Sequence, residues 1–323
     1  MCKYFAEVMN YLKILPLTIL ALCTLACTQN RYATFSGYAQ GGTYTVKANL
    51  RGVTTPQEEI AAQIDSLLEG IDFSISGYNR NSLLSRHNAG EEIVPDRYFR
   101  ELTELSDKYN AMTDGAFDVY AAPLFDIWGF GFTADSLPSP QLIAGALERC
   151  KERKIVNFNA IAQGYSCDVV AGYLYSIGVK DMLVDIGEIY CDGLNPSGKG
   201  WSIGVDNPVD GNNSPGSDLR GIWRSDGSAC GIVTSGNYRK FYVRDGKKYA
   251  HTIDPRTGYP VQHGLLSATI VAPTAAEADA LATACMVMGP EKAREFISST
   301  PKIEGYLICS DGVWTSEGFR LEK

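Results

Sequence analysis

The sequence predicts an α+β fold, with mixed, largely antiparallel sheets and helices packed on them. Apolar residues recur at helical spacing in segments that open on recognisable caps. Two Asp-Gly pairs sit between strand-like runs, as in antiparallel hairpins, and no internal repeat appears.

Taken in order, residues 28–36 read as a tether, and "GYAQGGTYTVKANL" (37–50) alternates as a half-buried strand does. "TTPQEEIAAQIDSLLEGID" predicts a helix with Thr55 as N-cap, Pro56 in the first helical position and Glu58 closing a capping box. Its inward stripe is Ile60, Ile64, Leu67 and Ile71. Further helices are expected over Tyr98–Thr113, with Phe99, Leu102, Leu105 and Tyr109 inward, and over roughly 140–150. A fourth starts near Ala162 and carries Tyr165, Val169, Tyr173 and Ile177 on one stripe. "DMLVDIG" and "WSIGVD" read as buried strands, and the Gly-, Asn-, Ser- and Asp-rich segment 207–227 as a surface excursion. "YRKFYVRDGKKYAHTID" predicts a hairpin turning at Asp245-Gly246, which puts His251 at the end of its second strand. After the strand "LSATIVAP", the last long helix opens at Thr274 with Glu277 three residues on, and "KIEGYLICSDGVWTSEGF" forms a second Asp-Gly hairpin.

The 323 residues, 45% hydrophobic and 20% charged, suit a globular chain. A net charge of −8 without any Lys/Arg run argues against nucleic acid as a main partner. "YLKILPLTILALCTLAC" reads as an export signal over residues 1–27, too short in its apolar part for an ordinary membrane span. Cleavage before Cys27, after Leu25-Ala26, fits a lipoprotein on the periplasmic side of a membrane, although Thr24 stands where such signals usually have Leu. A start at Met9 would remove Glu7 and compact the signal; an ordinary cleaved signal or an uncleaved anchor is the rival reading. Residues 37–323 then form one domain. Its six cysteines, Cys150, Cys167, Cys191, Cys230, Cys285 and Cys309, contain no CxxC pair, suit small buried positions, and leave any pairing open.

Several stretches could carry chemistry. Asp279 and Thr283, four apart on one helix, face the same way, and a carboxylate with a hydroxyl suits a hard cation such as Mg²⁺. On spacing alone, a solvated acid and a back-bonded hydroxyl is the better reading. The three histidines make no zinc-type cluster; His251 stands out because Asp254 and Thr257 follow it in "HTIDPRTG". By itself a strand-end histidine is more often structural. In "TDGAFDVYAAPLFDIWGFG", Phe117, Phe125 and Trp128 could wall an aromatic ligand or simply fill a core. "NFNAIAQGYSCD" leads into a helix whose N-terminal amides suit phosphate oxygens, but neither a Walker A loop nor a GxGxxG fingerprint is present.

These stretches together resemble the ApbE-type flavin transferases, which move FMN from FAD onto a protein Ser or Thr. The matching segments are "GGTYTVKA", "SGYNRNSLLSRHNA", "TDGAFDVYAAPLFDIWGFG", "NAIAQGYSCD", "LVDIGE", "WSIGVDNP", "TSGNYRKF", "HTIDPRTG" and "ADALATACMVMG", in that order and over most of residues 37–290. The resemblance implies that Gly41, Tyr78, Ala116, Phe117, Asp118, Asn157, Gln163, His251 and Ile253 bind the flavin nucleotide. It implies Mg²⁺ held by the Ala160 carbonyl, Asp279 and Thr283, with His251 as the base and Asp254 orienting it or the adjacent turn. Asn157 stands where many members have Asp, Gln163 where many have Lys, and Gly187-Glu188 where many have Gly-Gly; these read as tuning rather than inactivation. The partners implied are FAD and an acceptor protein, a flavin-carrying subunit of a membrane electron-transfer complex. Two alternatives accompany this reading: an FAD pyrophosphatase giving FMN and AMP, and a non-catalytic flavin-binding lipoprotein.

Overall fold

The computed structural model describes residues 31–130, 137–209, 216–238, 241–244 and 247–322. The leader with Cys27, the start of the tether and the Asp245-Gly246 turn lie outside the described residues.

Strands β1 (Tyr32–Ala39) and β2 (Gly42–Asn49) form a hairpin in register Tyr32↔Asn49 to Ala39↔Gly42. The expected tether is therefore sheet from Tyr32 onward, and the strand expected over 37–50 is two strands. The reversal occurs at Gln40-Gly41, both left-handed (φ 52° and 80°), the conformation a two-residue hairpin turn requires and glycine adopts at no steric cost. Burying Ala33 and Phe35 on one face keeps β1 in the sheet.

Helix α1 (Gln57–Ile75) starts after Pro56, which is its N-cap in an extended conformation and gives no side-chain cap. The capping box expected from Thr55 and Glu58 therefore does not form. Ile60, Ile64, Leu68 and Ile71 are buried, whereas Leu67 is half-buried on the shoulder. α2 (Leu83–Asn88) is capped by Ser82, and α3 (Arg97–Met112) by Asp96, whose carboxylate accepts from the Phe99 amide at 2.9 Å. A 3-10 turn (Val119–Ala121) runs into α4 (Ala122–Ile127), and α5 (Pro140–Lys151) follows the cap Ser139. α6 (Ala162–Ser176) buries Cys167, Val170, Ala171 and Leu174; of the expected stripe only Tyr165 is fully buried, and Val169 and Tyr173 lie on a half-exposed flank.

β3 (Met182–Asp185) and β4 (Ile189–Asp192) join the first hairpin. β5 (Ser202–Asp206) pairs with β6 (Leu219–Arg224), so the expected surface excursion contains a strand. β7 (Cys230–Gly236) follows, then the hairpin β8 (Phe241–Arg244) and β9 (Lys247–Ala250), β10 (Leu265–Ala272), α7 (Ala275–Met288), α8 (Pro290–Ser299), β11 (Glu304–Cys309), β12 (Gly312–Thr315) and β13 (Leu321–Glu322). The last hairpin pairs Cys309 with Gly312, so its turn is Ser310-Asp311 rather than Asp-Gly.

All named pairings are antiparallel. One eight-stranded sheet runs β1-β2-β3-β4-β7-β10-β11-β12, a three-stranded sheet runs β13-β6-β5, and β8-β9 stand apart. Alternation along the large sheet feeds two cores. Val233, Ile270 and Leu307 face α7 and the 113–165 region, whereas Ile232, Tyr306 and Ile308 face Trp201 and Trp223 of the small-sheet region. No helix among the described residues is long and apolar enough to cross a membrane.

Helices α6 and α7 meet at Gly164. A Cβ there would lie 2.3 Å from the Ala275 carbonyl oxygen and 2.8 Å from the Asp279 Cβ. From α6, Asp168 caps α7, accepting from the Ala275 and Ala276 amides at 2.8 and 2.9 Å. Burial pushes its carboxyl up to about 6. Two glycines of one helix should therefore respond oppositely to alanine. Gly172→Ala, with nothing within 4 Å of the new Cβ, should stabilise the fold by up to about 1 kcal/mol. Gly164→Ala should destabilise it by about 1–3 kcal/mol, both read from urea midpoints.

Candidate active site

The start of α6 is where three other elements arrive. The β1–β2 turn brings Gly41, and its neighbour Gln40 donates a side-chain hydrogen bond to Ser166 of α6. The β3–β4 turn brings Gly187 (φ 89°), stacked so closely on Gln163 that a Cβ would stand 2.6 Å from the Gln163 Nε2. Two of the three departures from the family pattern thus occupy one spot, and Glu188 follows directly. α7 brings Asp279, whose Oδ2 accepts from the Gly164 amide at 3.1 Å.

Asp279 is only 5% exposed, and the Gly164 amide is its only hydrogen-bond partner among the described residues. Burial, with Asp168 nearby, pushes its carboxyl up to about 7. A buried carboxylate with one amide donor is undersatisfied, since it has room for several. Thr283 follows one helical turn later, its hydroxyl 3.4 Å from that of Ser235 on β7. Ala160 lies in the turn just before α6. Carboxylate, hydroxyl and carbonyl oxygens are a donor set that fits a hard divalent cation. Among the described residues no group of three His, Cys, Asp or Glu side chains could hold a metal, so a cation here relies on this mixed set.

The octet 251–258 is built by its own hydrogen bonds and by packing. Asp254 O accepts from the Gly258 amide at 2.8 Å, and the Asp254 N–H donates to Tyr259 O at 3.0 Å. Its carboxylate is engaged by Arg256, through the backbone amide (2.9 Å), Nε (2.8 Å) and Nη2 (2.9 Å). Asp254 thus braces its own turn through Arg256. The Trp128 indole donates to Gly258 O at 2.8 Å, and a Cβ on Gly258 would strike Ile143 at 2.7 Å. The Ile253 side chain is buried in the same cluster as Leu124, Trp128 and Ile143. His251 directly follows β9, half-buried, with its ring 6.4 Å from that of Phe130.

Two further contacts tie the octet to the 113–118 turn and to the end of β7. The Arg256 stem lies 3.8 Å from where a Cβ on Gly115 would be, which seats the octet on the 113–118 turn. The Thr252 hydroxyl donates to Asn237 Oδ1 at 2.5 Å, just past β7, the strand that also carries Ser235 beside Thr283.

The 113–131 stretch differs from one expectation. Phe117 is 1% exposed and meets Tyr109 edge-on within the main core. Trp128 and Phe125 belong to the α4–α5 cluster, Trp128 buried and Phe125 half-buried, so core packing accounts for them. Ala116 is buried as well; Asp118 caps the 3-10 turn through the Tyr120 amide at 2.9 Å, and burial raises its carboxyl. Tyr78, by contrast, is 71% exposed. Next to it, Gly77 lines a groove of about 320 Å³ with Asn88, Ala122, Asp126, Val156 and Asn157. The Asn157 amide donates to Val119 O at 2.8 Å, joining this groove to the 116–118 turn. A second groove, about 450 Å³ between α1, α3 and α6, contains none of the residues expected in the site. Asp168, Ser235, Thr252 and Asn237 escaped sequence reasoning; their only signal was membership of matching segments, without an assigned task.

The ApbE family model matches residues 41–307. The curated "FAD:protein FMN transferase" of Haemophilus influenzae is 30% identical, over 93% of this chain and 92% of that protein. The protein of the same name from Escherichia coli K12 is 31% identical over 85% of each. Among solved structures, the flavin transferase ApbE from Vibrio cholerae superposes with a TM-score of 0.75 at 30% identity, covering 89% of this chain and 98% of that one. The apo flavinyl transferase ApbE of Pseudomonas stutzeri superposes with 0.77 at 31%, covering 89% and 95%. With a buried carboxylate poised between two helices, an exposed tyrosine beside a groove and this extent of likeness, the chain belongs to the ApbE family.

Proposed function

We propose that this protein transfers FMN from FAD to a Thr or Ser hydroxyl of an acceptor protein, with Mg²⁺ as the working cation and AMP as the leaving product. The observation that carries the reading is the undersatisfied buried carboxylate of Asp279, held beside Thr283 at the first turn of α6. The relatives named FAD:protein FMN transferase support the reaction class.

Tyr78 would stack the flavin, and the Asn157 groove would take part of the nucleotide. The side-chain amide of Gln163, in the first turn of α6, would donate to phosphate oxygens. Ala160 O, Asp279 and Thr283 would hold Mg²⁺, which when bound neutralises charge on the pyrophosphate. His251 removes the proton of the acceptor hydroxyl as its oxygen bonds to the FMN phosphorus. The bond from that phosphorus to the AMP phosphate breaks, and AMP departs. Asp254 and Arg256 keep the octet rigid, so His251 is presented from a fixed strand end. We place the protein outside the cytoplasm, tethered through lipid on Cys27, with an acceptor in a membrane electron-transfer complex.

His251→Ala should lower FMN transfer by at least about 100-fold while FAD binding, read by fluorescence titration, changes little. Unaltered transfer would assign the base elsewhere. AMP release without acceptor at the wild-type rate would instead mark a pyrophosphatase.

The carboxyl of Asp279 is raised from 3.8 to about 7 by folding. Without a cation, its contribution to stability is therefore present in full below pH 3.8 and is lost as pH rises through about 7. Mg²⁺ binds the ionised form, so the rise in Tm caused by Mg²⁺ should be larger at pH 8 than at pH 6. Asp279→Asn should abolish that difference, together with Mg²⁺-dependent transfer.

Cys27→Ala in the producing cell should move the protein from the membrane to the soluble extracytoplasmic fraction. Unchanged fractionation would remove the lipid tether.

A further inference from the structure

The eight-stranded sheet has a narrow seam. β4 and β7 are joined by only three residue pairs, Ile189↔Ile232, Tyr190↔Gly231 and Cys191↔Cys230, whereas β7 and β10 share six. The seam divides the β1–β4 half, on which α6 packs, from the β7–β12 half, on which α7 packs. At its end, Cys191 and Cys230 stand directly opposite each other with their Sγ atoms 3.8 Å apart. Cα atoms of opposed residues in an antiparallel pair are about 4.5 or 5.5 Å apart, and both spacings lie inside the disulfide range of about 4.4–6.8 Å. Cys191 is fully buried beneath Trp201 and Trp223, whereas Cys230 is half-buried at the first position of β7. Beside the pair, Gly231 lies so close to the start of α7 that a Cβ would meet Ala275 Cα at 2.3 Å.

We propose that Cys191 and Cys230 are a redox-active pair that forms an interstrand disulfide with a low-molecular-weight or protein disulfide as oxidant, stapling the two halves of the large sheet. The half-exposed Cys230 reacts first. As a thiolate it attacks the oxidant, breaking that S–S bond, forming a mixed disulfide and releasing one thiol. The Cys191 sulfur then attacks Cys230, the internal S–S bond forms, and the second thiol leaves. The protein dithiol loses two electrons, the oxidant gains them, and the protons of Cys191 and Cys230 end on the two released thiols. The bond encloses the 191–230 stretch, which includes β5 and β6, so it restricts the unfolded chain as well as the seam. Among the described residues, Cys150, Cys167, Cys285 and Cys309 are buried thiols. This inference is independent of the transferase reading.

The test uses the full chain equilibrated with oxidised glutathione, both as folded protein and after refolding from denaturant in the same buffer, so that burial of Cys191 cannot by itself block the bond. Alkylation followed by peptide mapping should find one intramolecular link, between the Cys191 and Cys230 peptides. The oxidised protein should melt about 5–10 °C above the reduced one. Cys230→Ser should remove both the link and the shift, and Cys309→Ser should leave both in place. Full alkylation of Cys191 and Cys230 in both preparations would overturn the proposal, as would a link through any other cysteine.

Discussion

The contact on which the rest of the site depends is the absence of a side chain at Gly164. It lets α6 and α7 approach until the Gly164 amide reaches the Asp279 carboxylate. The same approach lets Asp168 cap the first two amides of α7. Helix–helix contact this close needs a small residue on one partner; α7 supplies the other half with its alanine-rich, almost wholly buried surface. From this one junction follow the burial of Asp279 and the upward shift of its carboxyl.

The remaining elements have separable tasks. The β1–β2 and β3–β4 turns bring Gly41 and Gly187 to the start of α6, where left-handed backbone keeps side chains out of the way. The octet 251–258 depends on a different foundation, the α4–α5 cluster under Gly258 and the Trp128 hydrogen bond. Its link to the Asp279–Thr283 face runs through Thr252 and Asn237, beside the strand that carries Ser235. His251 is thus mounted on one packed layer, and Asp279 and Thr283 on another.

Much of this was legible in the sequence where the signal is local. α3 lies close to where its apolar stripe indicates and α7 opens at its Thr274 cap, because stripe and cap each sit within one element. Thr55 misled, since Pro56 in extended backbone moved the helix start past the capping box. β1 looked like a tether because its polar and aromatic residues interleave, and only pairing with β2 gives the segment a buried side. β6 hid in a polar stretch for the same reason: Trp223 and Gly221 face inward while its neighbours are exposed. Phe117 and Trp128 show the limit of composition, because whether an aromatic walls a ligand or fills a core is decided by packing from distant segments. Asp279 and Thr283 were visible as one helix face. What makes that face chemically unusual comes from Gly164 and Ser235, which no local pattern connects to it.

The hydrogen bonds that build the site span long stretches of chain: Gly164 to Asp279 across 115 residues, Asp168 to Ala275 across 107, and Trp128 to Gly258 across 130. Contacts of this kind carry a loop-closure cost before they are rewarded. A chain growing from its N-terminus has α6 and its Asp168 cap in place long before α7 exists to receive it. The Gly164–Asp279 junction can therefore close only after the chain has been made as far as α7, in the last sixth of its length or so.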